Sequence, residues 1–204
     1  MVCKTKGVNI MASVRRDHLV DTALSLFSRN GFHATGIDRI LSESGVAKMT
    51  LYKHFRSKDE LILAALRRND ELHRNWFMRE VERLAMTPRE RLLALFTALE
   101  NWFRDEKFCG CCFINAIAEY SDIEDPIHAA AAEHKRLLRA YVRELAEAAQ
   151  VKNAEGLADQ LMLLMEGAII STQVTRNPAL AQQARAAAEV LINNALATAS
   201  TAAA

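Results

Sequence analysis

Apolar residues recur three and four positions apart through most of this 204-residue chain, which is the period of amphipathic helices. The alternating pattern of strands never lasts beyond a few residues, and only 7 Gly and 3 Pro interrupt the chain. We therefore predict an all-α fold. The expected helices cover about 14–30, 37–44, 47–55, 58–85, 88–105, 112–120, 126–149, 154–175 and 178–199.

Helix-start signals support several of these boundaries. A hydroxyl residue followed three positions later by an acid is typical of a helix amino terminus, because each side chain can bond the other's backbone N–H. This pattern occurs at Thr35, Ser57 and Thr87, and Pro88 after Thr87 suits the first helical position. Gly31 and Gly45 are predicted to end the two helices that precede them.

Residues 31–61 contain two short predicted helices around Gly45, followed by a long capped helix. In the second short helix, Leu51 and Phe55 share one face because they lie four residues apart. The remaining positions carry side chains that can bond phosphates or base edges, which suits a helix in a DNA major groove. The alternative is a solvated helix face in an interaction module that binds no DNA.

Charge is unevenly distributed along the chain. The formal net charge is only +1, but residues 1–68 hold 12 Lys/Arg against 6 Asp/Glu, and residues 69–204 hold 14 against 19. The basic part coincides with the helix-turn-helix pattern. This arrangement favours a basic face with salt-sensitive affinity for phosphates.

Residues 15–65 resemble the amino-terminal domain of the TetR family of transcriptional repressors. The residues that carry the resemblance are Ala23, Phe27, Gly31-Phe32, Thr35, Ile37, Ile40, Gly45-Val46, Thr50-Leu51-Tyr52-Lys53-His54-Phe55, Lys58 and Leu61. The resemblance implies an amino-terminal three-helix helix-turn-helix domain and a larger helical domain for ligand binding and dimerisation. The domain boundaries we predict are 1–12 for a mobile tail, 13–56 for the DNA-binding domain and 57–204 for the effector-binding and dimerisation domain.

The resemblance also implies residue roles. Thr50, Tyr52 and His54 would read bases, Thr35 and Lys58 would contact phosphates at helix amino termini, and Lys48 would contact either. Met49 departs from the small or polar residue expected there, although a thymine methyl is a suitable partner. The complete predicted DNA-binding set is Thr35, Lys48, Met49, Thr50, Tyr52, Lys53, His54 and Lys58.

Eight of the 13 aromatic residues lie within residues 76–120, between the predicted DNA-binding domain and the last two helices. They favour either an apolar effector cavity or ordinary helix packing, and both interpretations stay open. The predicted cavity residues are Trp76, Phe77, Trp102, Phe103, Phe113, Asn115, Tyr120 and Met165. Glu119 and His134 are further candidates for its polar groups.

The last two helices carry apolar stripes with small residues, which favours pairing with a second copy, although packing inside one chain is the alternative. The predicted dimer residues are Leu157, Leu161, Leu164, Ala168, Val190 and Leu191. The resemblance implies a homodimer that binds a palindromic double-stranded DNA operator, acts as a repressor and is released by an unknown small-molecule effector.

Three of the four cysteines, Cys109, Cys111 and Cys112, fall within four residues. They are interpreted as buried core residues, as a thiol sensor or as a soft-metal site. The C-x-C-C spacing lacks the paired loops of structural zinc, so no metal ligand is assigned.

Enzyme signatures are absent from the sequence: it has no glycine-rich phosphate loop, nucleophile elbow or zinc-protease pair. We expect no catalytic activity and no cofactor. Residues 1–10 lack the apolar core of a signal peptide, and no apolar stretch is long enough to cross a bilayer. A cytoplasmic protein with no membrane partner is the resulting expectation.

Overall fold

The computed structural model describes residues 10–200, and it describes the side chains of residues 14–197. All regular elements of this part are helices, as the sequence predicts. They are α1 (Ile10–Asn30), α2 (Ile37–Ser44), α3 (Lys48–His54), α4 (Lys58–Leu84), α5 (Pro88–Phe103), α6 (Cys112–Glu119), α7 (Pro126–Ala148), α8 (Ala154–Thr175) and α9 (Leu180–Ser200). No helix of residues 10–200 is long and apolar enough to span a membrane. The predicted mobile tail lies outside the described residues except for its last three, which belong to α1.

Helices α1, α2 and α3 form a small domain around a shared apolar core. Leu26, Phe27, Ile40 and Leu51 are fully buried there. Gly45 ends α2 with a φ of +65°, a conformation that side chains disfavour, and its N–H donates to the carbonyl of Leu41. The turn between α2 and α3 therefore has the geometry that the sequence predicts.

Helix α4 connects the small domain to the larger one, because it packs against α1 at one side and against α5 and α7 at others. Helices α5, α7, α8 and α9 form the body of the larger domain, with α8 packed between α7 and α9. The short helix α6 rests on α7 and also touches α1. The two domains therefore meet along α1, α4 and α6.

The hydroxyl residue predicted to cap a helix does so at two of three positions. Thr87 and Glu90 form the predicted reciprocal capping box. Ser57 accepts the N–H of Glu60, but the Glu60 carboxylate bonds the N–H of Arg56 rather than that of Ser57.

Thr35 does not cap α2, so that prediction is wrong. The residue before α2 is Gly36, which makes no side-chain cap. The Thr35 side chain is fully buried and donates its hydroxyl proton to the carbonyl of Gly31 at 2.7 Å. The hydroxyl that the sequence pattern assigned to α2 therefore bonds the carbonyl of Gly31, four residues earlier in the turn that follows α1.

Candidate nucleic-acid interface and cleft

Helix α3 has one anchored face and one free face. Leu51 is fully buried and Phe55 nearly so, which fixes the helix against the small domain. Met49 is 86% exposed and Tyr52 50% exposed. Lys48 and Lys53 are exposed, and Thr50 and His54 are half-buried. The six predicted DNA-binding residues of α3 are thus all at least partly accessible.

The two predicted phosphate contacts outside α3 differ from each other. Lys58 is the first residue of α4, and its Nζ donates to the carbonyl of His33 at 3.3 Å. Thr35 has no exposed side-chain surface, because its hydroxyl points inward to Gly31. The expected contact between the Thr35 hydroxyl and a phosphate is therefore corrected. Arg56, which the sequence analysis did not select, is an exposed cation directly after α3.

A cleft of about 660 Å³ lies where the two domains meet. Helix α1 forms one wall, α4 forms the floor, and α5, α6 and the loop between them form the opposite wall. The lining residues are Leu24, Ser25, Ser28, Arg29, Asn69, His73, Trp102, Glu106, Lys107, Cys109, Gly110, Cys111, Cys112 and Phe113. This volume is within the range of small-molecule sites.

The structure brings only some of the predicted effector residues to this cleft. Trp102 and Phe113 line it. Phe77 and Met165 line a much smaller void of about 20 Å³, which also touches Trp102.

The other predicted effector residues have different surroundings. Phe103 is buried, and Trp76 is partly exposed beside His73. The Asn115 side chain accepts a hydrogen bond from Gln173. Tyr120 stacks on His33 of the α1–α2 turn. The predicted single cavity of eight residues is therefore divided among several environments.

All three clustered cysteines line the cleft, so the thiols share one site with Trp102 and Phe113. Cys109 is partly exposed, whereas Cys111 and Cys112 are buried. Burial raises the pKa of Cys112 to about 12, against the opposing hydrogen bond with Ser28. Burial also raises the pKa of Cys109, although Arg176 and Arg29 partly offset it. A raised pKa lowers the thiolate fraction and so disfavours a reactive sensor.

The α1 wall of the cleft was missed by sequence reasoning. Ser25, Ser28 and Arg29 look like the solvated face of an amphipathic helix, and nothing local indicates that the α5–α6 loop covers them. Among the described side chains, no group of three or more His, Cys, Asp or Glu residues is arranged to hold a metal ion.

Comparisons with known proteins identify the family. Residues 19–65 match the family model of bacterial regulatory proteins of the tetR family, and residues 88–188 match the tetracyclin repressor-like C-terminal domain. The chain belongs to the TetR family of transcriptional regulators. Its fold class, with a helix-turn-helix domain and a larger helical domain, is thereby confirmed.

Individual relatives agree with the family assignment. The HTH-type transcriptional regulator YjdC of Escherichia coli (strain K12) is 25% identical over 179 residues, which are 88% of this chain and 94% of that protein. The HTH-type transcriptional activator FasR of Mycolicibacterium smegmatis is 38% identical over 99 residues, covering 48% and 43% of the two chains. The crystal structure of SCO4454, a TetR-family regulator from Streptomyces coelicolor, matches with a TM-score of 0.82 and 31% identity, over 90% of this chain and 96% of that one.

In this TetR-family chain, three of the predicted dimer residues are part of the chain's own core. Leu157, Leu161 and Ala168 are buried because α8 packs between α7 and α9. The assignment of these three residues to an exposed dimer surface is therefore corrected. Leu164 and Leu191 are half-buried.

A different face of α8 is apolar and exposed. Leu163 is 72% exposed and Val174 77% exposed, with Ile170 and Gly167 between them. These four residues share one helical face because they are three or four positions apart. On α9, Val190 is 59% exposed, as its predicted role requires. We call Leu163, Gly167, Ile170, Val174 and Val190 the α8–α9 strip.

A buried histidine connects three helices of the larger domain behind the cleft. The Nδ1 of His134 on α7 lies 2.8 Å from Oδ1 of Asp70 on α4. Its ring stacks on Phe113 of α6 with centroids 3.6 Å apart. Burial lowers the pKa of His134 to about 4, although the hydrogen bond to Asp70 opposes the shift.

We predict that stability decreases below pH 6.5 because of His134 and of His73, whose pKa burial likewise lowers to about 4. In the unfolded chain the imidazole takes up a proton near its ordinary pKa of 6.5, whereas folded His134 stays neutral down to about pH 4. Unfolding therefore binds a proton in that window, and the free energy of unfolding falls by about 1.4 kcal/mol per pH unit for each such group. The unfolding temperature of His134→Asn, measured from pH 7.5 to 4.5, should depend less steeply on pH than the unfolding temperature of the parent.

The matched control is His128→Asn, which also removes an imidazole from α7. Its unfolding temperature should follow the parent's pH dependence. Parallel curves for the parent and His134→Asn would contradict the assignment.

Proposed function

We propose that this TetR-family regulator is a repressor that binds a palindromic operator as a homodimer and dissociates when a small molecule occupies the cleft. The observation that supports DNA reading most directly is the free face of α3, which Leu51 and Phe55 hold outward from the small domain. The repressor assignment follows the family description of residues 88–188.

The charges around α3 fit a phosphate backbone. Lys48 and Lys53 lie on the helix, Arg56 follows it, and Lys58 begins α4. Because such cations release condensed counterions from DNA, affinity should decrease steeply as salt rises. Two copies of α3 in successive major grooves would read half-sites about 34 Å apart.

The first test is binding to DNA from upstream of the chain's own coding region, followed by selection from genomic fragments. Lys48→Ala should reduce the slope of log affinity against log salt by about one, because one phosphate or base contact is lost. Tyr52→Ala should weaken binding about tenfold, since a base contact contributes roughly 1–3 kcal/mol. Fluorescence anisotropy at several salt concentrations measures both effects.

Lys152→Ala is the control for the lost lysine, because Lys152 is exposed between α7 and α8. It should leave both the affinity and the slope unchanged. An interaction module without DNA binding would be indifferent to salt and to all three substitutions.

A second copy of this chain is the proposed occupant of the α8–α9 strip. The strip is apolar on two neighbouring helices, and no atom lies within 4 Å of a Cβ atom built on Gly167, so a partner helix can approach closely there. A two-fold axis along the strip would pair each patch with its own copy. It would also provide the symmetric pair of α3 helices that a palindromic operator requires.

The dimer is tested by Leu163→Glu, which places a charge in the proposed interface. Sedimentation equilibrium should show a shift from dimer to monomer, and affinity for a full palindrome should decrease more than affinity for a half-site. Met86→Glu introduces the same group at an exposed apolar position between α4 and α5, and this variant should remain dimeric. A dimeric Leu163→Glu protein would rule out this strip as the interface.

The effector proposal rests on the walls of the cleft. One wall belongs to the DNA-binding domain through α1, and the other belongs to the larger domain through α5 and α6. A ligand that fits only one spacing of these walls shifts the population toward that spacing. If that spacing is the one that does not bind DNA, DNA binding and ligand binding oppose each other by reciprocity.

The alternative input is the thiol cluster itself, which lines the same cleft. A maleimide separates the two possibilities, since it forms a carbon–sulfur bond with the thiolate and takes its proton from water. In a Cys3→Ser background, N-ethylmaleimide should modify Cys109 more slowly than a free cysteine thiol, because the Cys109 pKa is raised. Cys111 and Cys112 should react only after unfolding, because they are buried.

The adduct on Cys109 stands in for an occupant of the cleft. We expect it to lower operator affinity, and we expect the Cys109→Ser protein to be unaffected by the reagent. Mass spectrometry counts the adducts, and anisotropy measures the affinity. A Cys109 that reacts faster than free cysteine would favour the thiol-sensor alternative, whereas a full adduct with unchanged affinity would contradict control through the cleft.

A further inference from the structure

Glu119, the last residue of α6, bonds the turn between α1 and α2. Its Oε1 accepts the backbone N–H of Phe32 at 2.8 Å. Its Oε2 accepts the backbone N–H of His33 at 2.6 Å and lies 2.9 Å from the Nδ1 of the same residue. One carboxylate from the larger domain therefore holds two successive residues of the DNA-binding domain.

The position of Glu119 is not explained by the stability of α6. A carboxylate at the carboxyl end of a helix is disfavoured by the helix dipole. Partial burial of the group would also raise its pKa, yet the hydrogen bonds from His33 and Phe32 lower the pKa of Glu119 overall. The contacts across the domain boundary stabilise a charge that its own helix disfavours.

The turn is shaped to receive this carboxylate. Gly31 has a φ of +88°, and a Cβ atom built on it would lie 3.0 Å from the Glu119 Oε1. Any side chain there would both strain the backbone and crowd the carboxylate. The glycine after α1 thus allows the close approach as well as the end of the helix.

His33 extends the connection to a predicted DNA contact. Its ring stacks on Tyr120, directly after Glu119, with centroids 4.7 Å apart. Its carbonyl accepts the Nζ of Lys58 at 3.3 Å. A single exposed residue therefore links the end of α6 to the start of α4.

We propose that Glu119 is a positioning residue that locks the α1–α2 turn and Lys58 in the DNA-binding arrangement. The proposal rests on the proposed function, because it presumes that the small domain reads DNA and that the cleft receives an effector. Helix α6 has Cys112 and Phe113 at the cleft and Glu119 at the lock, so its eight residues span about 12 Å between the two. Displacement of α6 by an occupant pulls the carboxylate away from Phe32 and His33.

The test compares Glu119→Ala and Glu119→Gln in the full chain. Hydrogen exchange at the Phe32 and His33 amides should accelerate in Glu119→Ala, because both acceptors are lost, and less in Glu119→Gln, which keeps one carbonyl oxygen. Operator affinity should decrease by about five- to thirtyfold in Glu119→Ala, the lower part of the range of ordinary coupling between sites. The operator affinity of Glu119→Gln should lie between that of Glu119→Ala and that of the parent.

The charge-matched control is Glu124→Ala, since Glu124 is an exposed acid in the loop after α6. It should keep the parent's affinity and its exchange rates at Phe32 and His33. This control separates loss of the lock from the general effect of removing one negative charge near DNA.

The lock is overturned if exchange at the turn accelerates in Glu119→Ala while operator affinity stays within twofold of the parent. It is also overturned if exchange at the turn does not change in either variant. Circular dichroism verifies that the variants fold, and Glu119→Gln keeps the test valid if the alanine variant unfolds. A parent that binds no DNA would instead reject the proposed function, so the two failures are distinguishable.

Discussion

The burial of helix α1 is the constraint on which the rest of the structure depends. Leu19, Leu26 and Phe27 hold α1 in the core of the small domain. The neighbouring residues Ser25 and Ser28 form a wall of the cleft. Because a packed helix moves as a unit, the cleft wall cannot shift without the core that carries α3. The same apolar stripe therefore couples the position of α3 to the position of this cleft wall.

The parts of the fold that depend on local signals could be predicted from the sequence. Helix α2 and the turn at Gly45 follow from spacing and backbone conformation, and the box at Thr87 follows from its own four residues. Thr35 carries a similar local pattern, but its hydroxyl bonds Gly31 instead. The spacing of a hydroxyl and an acid shows only that a cap is possible, because a neighbouring backbone carbonyl such as that of Gly31 can bond the hydroxyl instead.

The candidate site likewise has parts that could be predicted from the sequence and parts that could not. The free face of α3 is predictable because Leu51 and Phe55 define the buried side of a short helix. Helix α8 is apolar on more than one face, so its periodicity does not distinguish residues that α7 and α9 cover, such as Leu161, from exposed ones such as Leu163. The cleft is less predictable still, because α1 and the cysteine loop are about 80 positions apart in the chain.

Helix α6 is well suited to transmit a small displacement because it is short and held at both ends. Toward the cleft, Phe113 stacks on His134, which bonds Asp70 of α4. Toward the DNA-binding domain, Glu119 bonds the turn that also accepts Lys58. Both connections therefore end on α4, one near its first residue and the other in its middle. Under the proposed function, a displacement of α6 would change the support of α4 at two points, and it would therefore act on the angle of the helix that joins the domains rather than on one contact alone.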